Sequence, residues 1–231
     1  SYYRAFAQFY GDIKNYAVLA LLPSYLDRKG SSLIYMVNDL IEKSNHPDSG
    51  FYLRNHDELL QKLEKLNHNG QNVILIGVTY ALLDLIEYAE SISFPLSKLG
   101  GNLIIMETGG MKGQRKELIR EELHTILCTG FGVQTIHSEY GMTELLSQAY
   151  SPGEGLFFPP AWMQILIRDE EDPLLIKENG KGIINVIDLA NVYSCSFIAT
   201  DDAGIVNADG NFEVLGRVDG SDLRGCSLMA V

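Results

Sequence analysis

NVILIGVTYALLDLIEYAE, residues 72–90, decides the fold class. Its first seven residues are an apolar run rich in β-branched side chains, short enough for a strand buried on both faces. The next twelve place apolar residues at helical spacing. A buried strand running straight into an amphipathic helix is the unit of a parallel α/β sheet. The same alternation extends in both directions. Upstream, NYAVLALLP (15–23) reads as a strand, SSLIYMVNDLIEKS (31–44) as a helix, and HDELLQKLEKL (56–66) as a helix with Leu59, Leu60, Leu63 and Leu66 on one face. Asn55 followed by Glu58 has the spacing of a capping box at the start of that third segment. Downstream, NLIIMET (102–108) reads as a strand and KGQRKELIREELHTIL (112–127) as a helix with Leu118, Ile119, Leu123, Ile126 and Leu127 inward. VQTIHS (133–138) reads as the closing strand.

Beyond about residue 150 the texture changes. WMQILIRDEEDPLLI, KGIINVIDL, SCSFIATDDAGIV and FEVLGRVDG are short strand candidates split by Gly, Pro, Asn and Asp. The expected organisation is a flavodoxin-like α/β subdomain over 1–150 and a β-rich subdomain over 151–231, with a soft boundary between Pro152 and Pro160.

Composition narrows the function classes. Of 231 residues 46% are hydrophobic and 21% charged, ordinary for a globular chain. A net charge of −12 repels nucleic acid, and the one dense basic run, KGQRK at 112–116, reads as the solvated start of a helix. No apolar run approaches the roughly 20 residues of a membrane span. The N-terminus, SYYRAFAQFYG, has no signal-peptide pattern, so the expected location is cytoplasmic. Cys128, Cys195 and Cys226 have neither metal-ligand spacing nor a disulfide framework.

Ligands of open α/β sheets gather beyond the carboxyl ends of the strands, which draws attention to two loops. ETGGMKG (107–113) puts Gly109 and Gly110 between a strand and a helix, where backbone N–H groups can approach a ligand closely; a plain tight turn is the competing reading. HSEYGMTE (137–144) combines Tyr140, able to stack on a base, with Gly141, Met142, Thr143, able to donate to a phosphate oxygen, and Glu144, a hard oxygen ligand suited to Mg²⁺. Its bland alternative is a helix capped by Thr143. A third stretch, TDDAGIVNADGNFEVLGRVDG (200–220), adds carboxylates for ribose hydroxyls and Arg217 for hydroxyl or phosphate oxygens, on a hairpin turning at Asp209-Gly210.

These motifs, in this order, resemble those of the adenylate-forming superfamily. YGMTE is similar to its aromatic-Gly-x-Thr-Glu motif. TDDAG resembles Thr-Gly-Asp-x-Gly with Asp201 in place of the first Gly, and GRVD matches the entry to its hinge. The resemblance implies an adenylate-forming large-domain-like fold, here incomplete, with adenine held by Tyr140 and the loop of Gly109, Gly110, Met111 and Lys112. It puts ribose on Asp202 and Arg217, and the hinge at Asp219. LALLPSYLDRKGSSLIYMVNDLI, SGFYL, METGGMKG, HSEYGMTELLSQAYS and LGRVDGSDLRGCSLM narrow it further, resembling the LuxE-type acyl-protein synthetases of bacterial luminescence. That branch implies ATP and Mg²⁺ as cofactors and a fatty acid as substrate. It also implies Thr143 and Glu144 as phosphate and metal residues, Cys226 as acyl acceptor, and an acyl-CoA or fatty-acid reductase as partner. A phenylacetate-ligase type of CoA ligase and a catalytically silent AMP-binding fragment are the competing functions. The superfamily's Ser/Thr/Gly-rich phosphate loop does not occur in the chain, and the resemblance puts it ahead of Ser1. The chain is therefore expected to lack the family's N-terminal segment and to form acyl-AMP poorly alone. The CoA ligases' mobile C-terminal domain is likewise not expected, and LuxE-type proteins also stop early.

Overall fold

Residues 72–91 fold as their periodicity dictates, strand β3 (Asn72–Gly77) leading through Val78 into helix α4 (Thr79–Ser91). A computed structural model describes residues 1–23, 31–109 and 118–218 of the chain. In chain order the elements are α1 (Tyr2–Tyr10), β1 (Tyr16–Leu21), α2 (Ser32–Ser44), β2 (Gly50–Phe51), α3 (His56–His68), β3, α4, β4 (Leu103–Glu107) and α5 (Arg120–Phe131). Then follow β5 (His137–Tyr140), β6 (Ala149–Ser151), β7 (Leu156–Phe157), β8 (Met163–Arg168), β9 (Ile176–Lys177), β10 (Gly180–Asp188), β11 (Phe197–Val206) and β12 (Phe212–Arg217). They form two compact units. One comprises Tyr10–Thr108 and Ile119–His137; the other comprises the described residues of Ser1–Phe9, Gly109–Leu118 and Ser138–Val231.

The first unit is α/β. Strands β2, β1, β3 and β4 lie side by side in that order and all parallel, with Val18 opposite Ile74 and Ile74 opposite Ile104. Residues 17–22 and 73–78 are buried without a break, as parallel strands covered on both faces require. Asn55 caps α3, its Oδ1 accepting from the Glu58 amide at 3.3 Å, but the reciprocal half of a capping box is replaced: Glu58 Oε2 accepts from Asn55 Nδ2 at 2.7 Å, and the Asn55 amide donates to the Tyr52 carbonyl.

Two sequence expectations shift here. The described part of α5 starts at Arg120; residues 112–117 of the expected helix lie outside the described residues. Ile119 has extended backbone at the cap, and both Ile119 and Ile126 are exposed. The inward stripe is Leu123, Leu127 and Phe131, one residue per turn, so the true helix phase leaves Ile126 to one side. The closing strand begins at His137 rather than 133. The helix ends on Gly132 at φ 66°, and the amides of Gly132 and Val133 both bond the Cys128 carbonyl, so Val133 belongs to the cap.

The second unit is β-rich. Its antiparallel sheet runs β7-β12-β11-β10-β8-β9 and curls around a core including Tyr140, Leu145, Phe157, Ile165, Val186 and Phe212. The expected hairpin is there. Gly210, at φ 84°, turns β11 into β12, closed by bonds between Asn207 and Asn211. Gly204 in β11 faces a crowded backbone, since a Cβ there would come within 2.6 Å of the Glu213 carbonyl oxygen. β5 and β6 pair antiparallel, Tyr140 opposite Ala149, and the motif residues Gly141–Glu144 form the turn between them. No helix starts at Thr143, so the capped-helix reading of this stretch does not hold.

Candidate functional site

The register of β11 against β12 sets Asp202 opposite Arg217. Arg217 Nε lies 3.6 Å from Asp202 Oδ1, and its Nη2 lies 3.2 Å from Oδ2 of the exposed Asp201. From the β5–β6 arm, the Tyr140 hydroxyl donates to Asp202 Oδ2 at 2.8 Å. One carboxylate thus joins the YGMTE, TDDAG and GRVD motifs. Asp202 is only 4% exposed. Its own amide donates to Thr200 Oγ1 at 3.1 Å, and that hydroxyl donates to the Ile184 carbonyl at 2.7 Å, which pins the strand at this point. Burial raises the Asp202 carboxyl above the usual 3.8, further helped by Asp201; the Tyr140 hydroxyl and the Arg217 guanidinium pull the other way without cancelling it.

Tyr140 departs from its expected role. Its ring is 2% exposed and meets Phe157 and Phe212 edge-on, with centroids at 6.0 and 5.3 Å. A ring so enclosed has no open face for a base in this conformation. Only its hydroxyl reaches the carboxylate.

Thr143 and Glu144 lie on the exposed crest of the turn, Gly141 and Met142 half-buried before them. Leu145 dips back into the core, its amide closing the turn on the Met142 carbonyl at 3.1 Å. Among the described residues no three His, Cys, Asp or Glu side chains are grouped to hold a metal. An exposed carboxylate such as that of Glu144 fits Mg²⁺, which commonly takes one or two protein carboxylates and completes its shell with water and substrate phosphate oxygens. Of the other expected site residues, Gly109 is described, with φ 63°. Gly110, Met111, Lys112, Asp219 and Cys226 lie outside the described residues.

The sequence reading also missed groups. His124 has no carboxylate partner at catalytic spacing in the sequence, yet the α/β unit brings its Nε2 within 3.7 Å of Glu107 Oε1 at the end of β4. Thr79 Oγ1 donates to the other Glu107 oxygen at 3.1 Å. His137 is a packed strand-start histidine, bonded through Nδ1 to the Tyr10 hydroxyl at 3.1 Å, and burial lowers its pKa. Asp188 and Asn191 bond directly to the Glu144 turn, although neither carries a recognisable motif.

A family model for "Acyl-protein synthetase, LuxE" matches residues 42–230. The chain belongs to the LuxE acyl-protein synthetase family. A long-chain-fatty-acid–luciferin-component ligase of Vibrio harveyi is 24% identical over 180 residues, which are 73% of this chain and 47% of that protein. This LuxE-family chain therefore spans about half the length of the curated relative it matches. Its fold is that of adenylate-forming enzymes. It superposes on ATP-bound MatB from Rhodopseudomonas palustris with TM-score 0.61 at 16% identity, covering 93% of this chain and 42% of that one. It superposes on the O-succinylbenzoate coenzyme A synthetase MenE of Bacillus subtilis, in complex with AMP, with TM-score 0.58 at 20% identity, covering 93% and 44%. Among the described residues no helix is long and apolar enough to cross a membrane.

Proposed function

We propose that this chain carries the nucleotide-facing part of an acyl-protein synthetase, which activates a long-chain fatty acid with ATP and passes the acyl group to a protein cysteine. The observation that carries the reading is the junction of Tyr140, Asp202 and Arg217 on one buried carboxylate, in a chain of the LuxE family. In the first step a carboxylate oxygen of the fatty acid attacks the α-phosphorus of ATP, and the bond to pyrophosphate breaks. In the second a thiolate attacks the acyl carbon and AMP leaves.

The proposed roles join the geometry of the described residues to the family resemblance. Asp202 and Arg217 take the ribose hydroxyls, and Tyr140 holds Asp202 rather than stacking on adenine. The resemblance assigns the base to the loop of Gly109 to Lys112. Thr143 donates to a phosphate oxygen, and Glu144 contributes a carboxylate oxygen to Mg²⁺, which offsets the negative charge growing on the phosphate. Cys226 is the acyl acceptor and Asp219 the hinge. A reductase that consumes the acyl-protein is the partner this reaction implies, and the cytoplasm is where its ATP is found. The coenzyme A ligase and silent-fragment alternatives are not favoured by the family match.

The test uses protein expressed from its complete reading frame, supplied with ATP, Mg²⁺, a labelled long-chain fatty acid and coenzyme A. Label on protein, released by hydroxylamine, is the expected result. Label on coenzyme A, or no ATP–pyrophosphate exchange, overturns the proposal.

A further inference from the structure

The turn bearing Glu144 is fastened from below by the end of another strand. Asp188, the last residue of β10, is fully buried. Its Oδ2 accepts from the amides of Leu146 at 2.9 Å and Ser147 at 3.0 Å. Its Oδ1 accepts from the Ser147 hydroxyl at 2.7 Å and the Ala190 amide at 3.1 Å. Three residues on, the buried Asn191 donates Nδ2 to the Glu144 carbonyl at 2.7 Å, its own Oδ1 held by the Ser194 hydroxyl. Trp162 Nε1 donates to Ser147 Oγ at 2.9 Å.

This arrangement is costly unless it has a use. A buried carboxylate is stable only when its oxygens are filled by donors, and here N–H and O–H groups fill them rather than a cation, among the described residues. Those donors are distributed around one residue. Asn191 grips the carbonyl of Glu144, and Asp188 grips the amides two and three positions later. The backbone of Glu144 is therefore fixed while its side chain remains exposed.

We propose that Asp188 and Asn191 are positioning residues for Glu144, holding its carboxylate in register with the phosphate it serves; this inference rests on the acyl-adenylate reading above. Preorganisation of this kind acts on the chemical step, since a carboxylate displaced by a fraction of an ångström still allows ATP to bind. A purely structural role for the same bonds would lower stability and leave turnover per folded molecule unchanged.

Asn191→Asp separates the two, because it keeps size and replaces the donor facing Glu144 with an acceptor. In ATP–pyrophosphate exchange by the complete protein, kcat is expected to fall roughly 10–100-fold with KM for ATP nearly unchanged. Asn191→Ala, which removes the bond without repulsion, is the second variant should the first fold poorly, and is expected to lower kcat in the same direction. Amide hydrogen exchange over residues 143–148 is expected to quicken in both. Trp162, the sole tryptophan, reports through its emission that the Ser147 junction is intact. Unchanged kcat in either folded variant overturns the positioning role. Absence of exchange activity in the wild type counts instead against the acyl-adenylate reading, and the inference falls with it.

Discussion

The Tyr140 hydroxyl and the Asp202 carboxylate, 62 positions apart in the chain, meet at 2.8 Å inside the β-rich unit. The bond ties the strand before the Glu144 turn to β11, which carries Asp202. It also opposes, without cancelling, the rise in pKa that burial imposes on this carboxylate, and the net rise has a pH signature.

Asp202 has a folded pKa above its unfolded value. Such a group stabilises the fold fully below the unfolded pKa, and that contribution is lost as pH rises through the folded pKa. Asp202→Asn cannot titrate. The melting temperature of the wild type relative to this variant is therefore expected to be lowest at neutral pH and to rise on acidification. A difference that stays flat with pH, measured by thermal unfolding of both proteins, contradicts the assignment. Nucleotide binding is expected to be lost in the variant at every pH.

Tyr140→Phe keeps the ring among Phe157 and Phe212 but removes the donor to Asp202. The carboxylate then stays buried with one partner fewer, at an expected cost of about 1–3 kcal/mol in urea unfolding. A loss near zero would mean that water enters to replace the hydroxyl.

Glu144 is exposed, so its replacement should touch function and spare the fold. For Glu144→Gln in the complete protein, stability is expected to change by less than about 0.5 kcal/mol while ATP–pyrophosphate exchange disappears. Exchange at wild-type rate would remove Glu144 from the metal and phosphate machinery.

Asn55→Ala removes the side-chain cap of α3 and its bond to Glu58 Oε2, and touches nothing in the candidate site. It is expected to cost about 1 kcal/mol of stability and to leave acyl labelling unchanged. Equal stability of variant and wild type would show that the helix end is held by tertiary packing.

Cys226→Ser in the complete protein is expected to retain acyl-adenylate formation and to lose the hydroxylamine-sensitive acyl label. Persistence of the label moves the acceptor elsewhere, with the exposed Cys195 next to be replaced.

The local parts of the fold were readable because their causes are local. The run 73–78 is buried as its unbroken apolar character requires, Asn55 caps α3, and Asp209-Gly210 turns the hairpin. What needed the structure depends on residues far apart. Tyr140 looks like a stacking aromatic until Phe157 and Phe212 close around it. Asp188 is legible only as the cap of the short turn that follows it, through its bond to Ala190; its bonds to residues 146 and 147 come from 42 and 41 positions away. The partnership of His124 with Glu107 likewise depends on α5 returning to the end of β4. Helix phase around Ile126 failed for a different reason: the expected segment was entered too early, and the apolar count absorbed residues that do not share the buried stripe.

The pairing of β11 with β12 sets a length rule for the gene. Asp202 faces Arg217 because Val206 pairs with Phe212 and the register then shifts by one residue between Gly204 and Ala203, where β12 carries Leu215 as the extra residue. Side chains on a strand alternate between its faces, so one codon inserted between Phe212 and Arg217 carries the guanidinium to the opposite face of the sheet. The same insertion among Ala208–Gly210 only enlarges a surface turn. Length changes along this hairpin are therefore expected to be tolerated at its tip and not between Phe212 and Arg217.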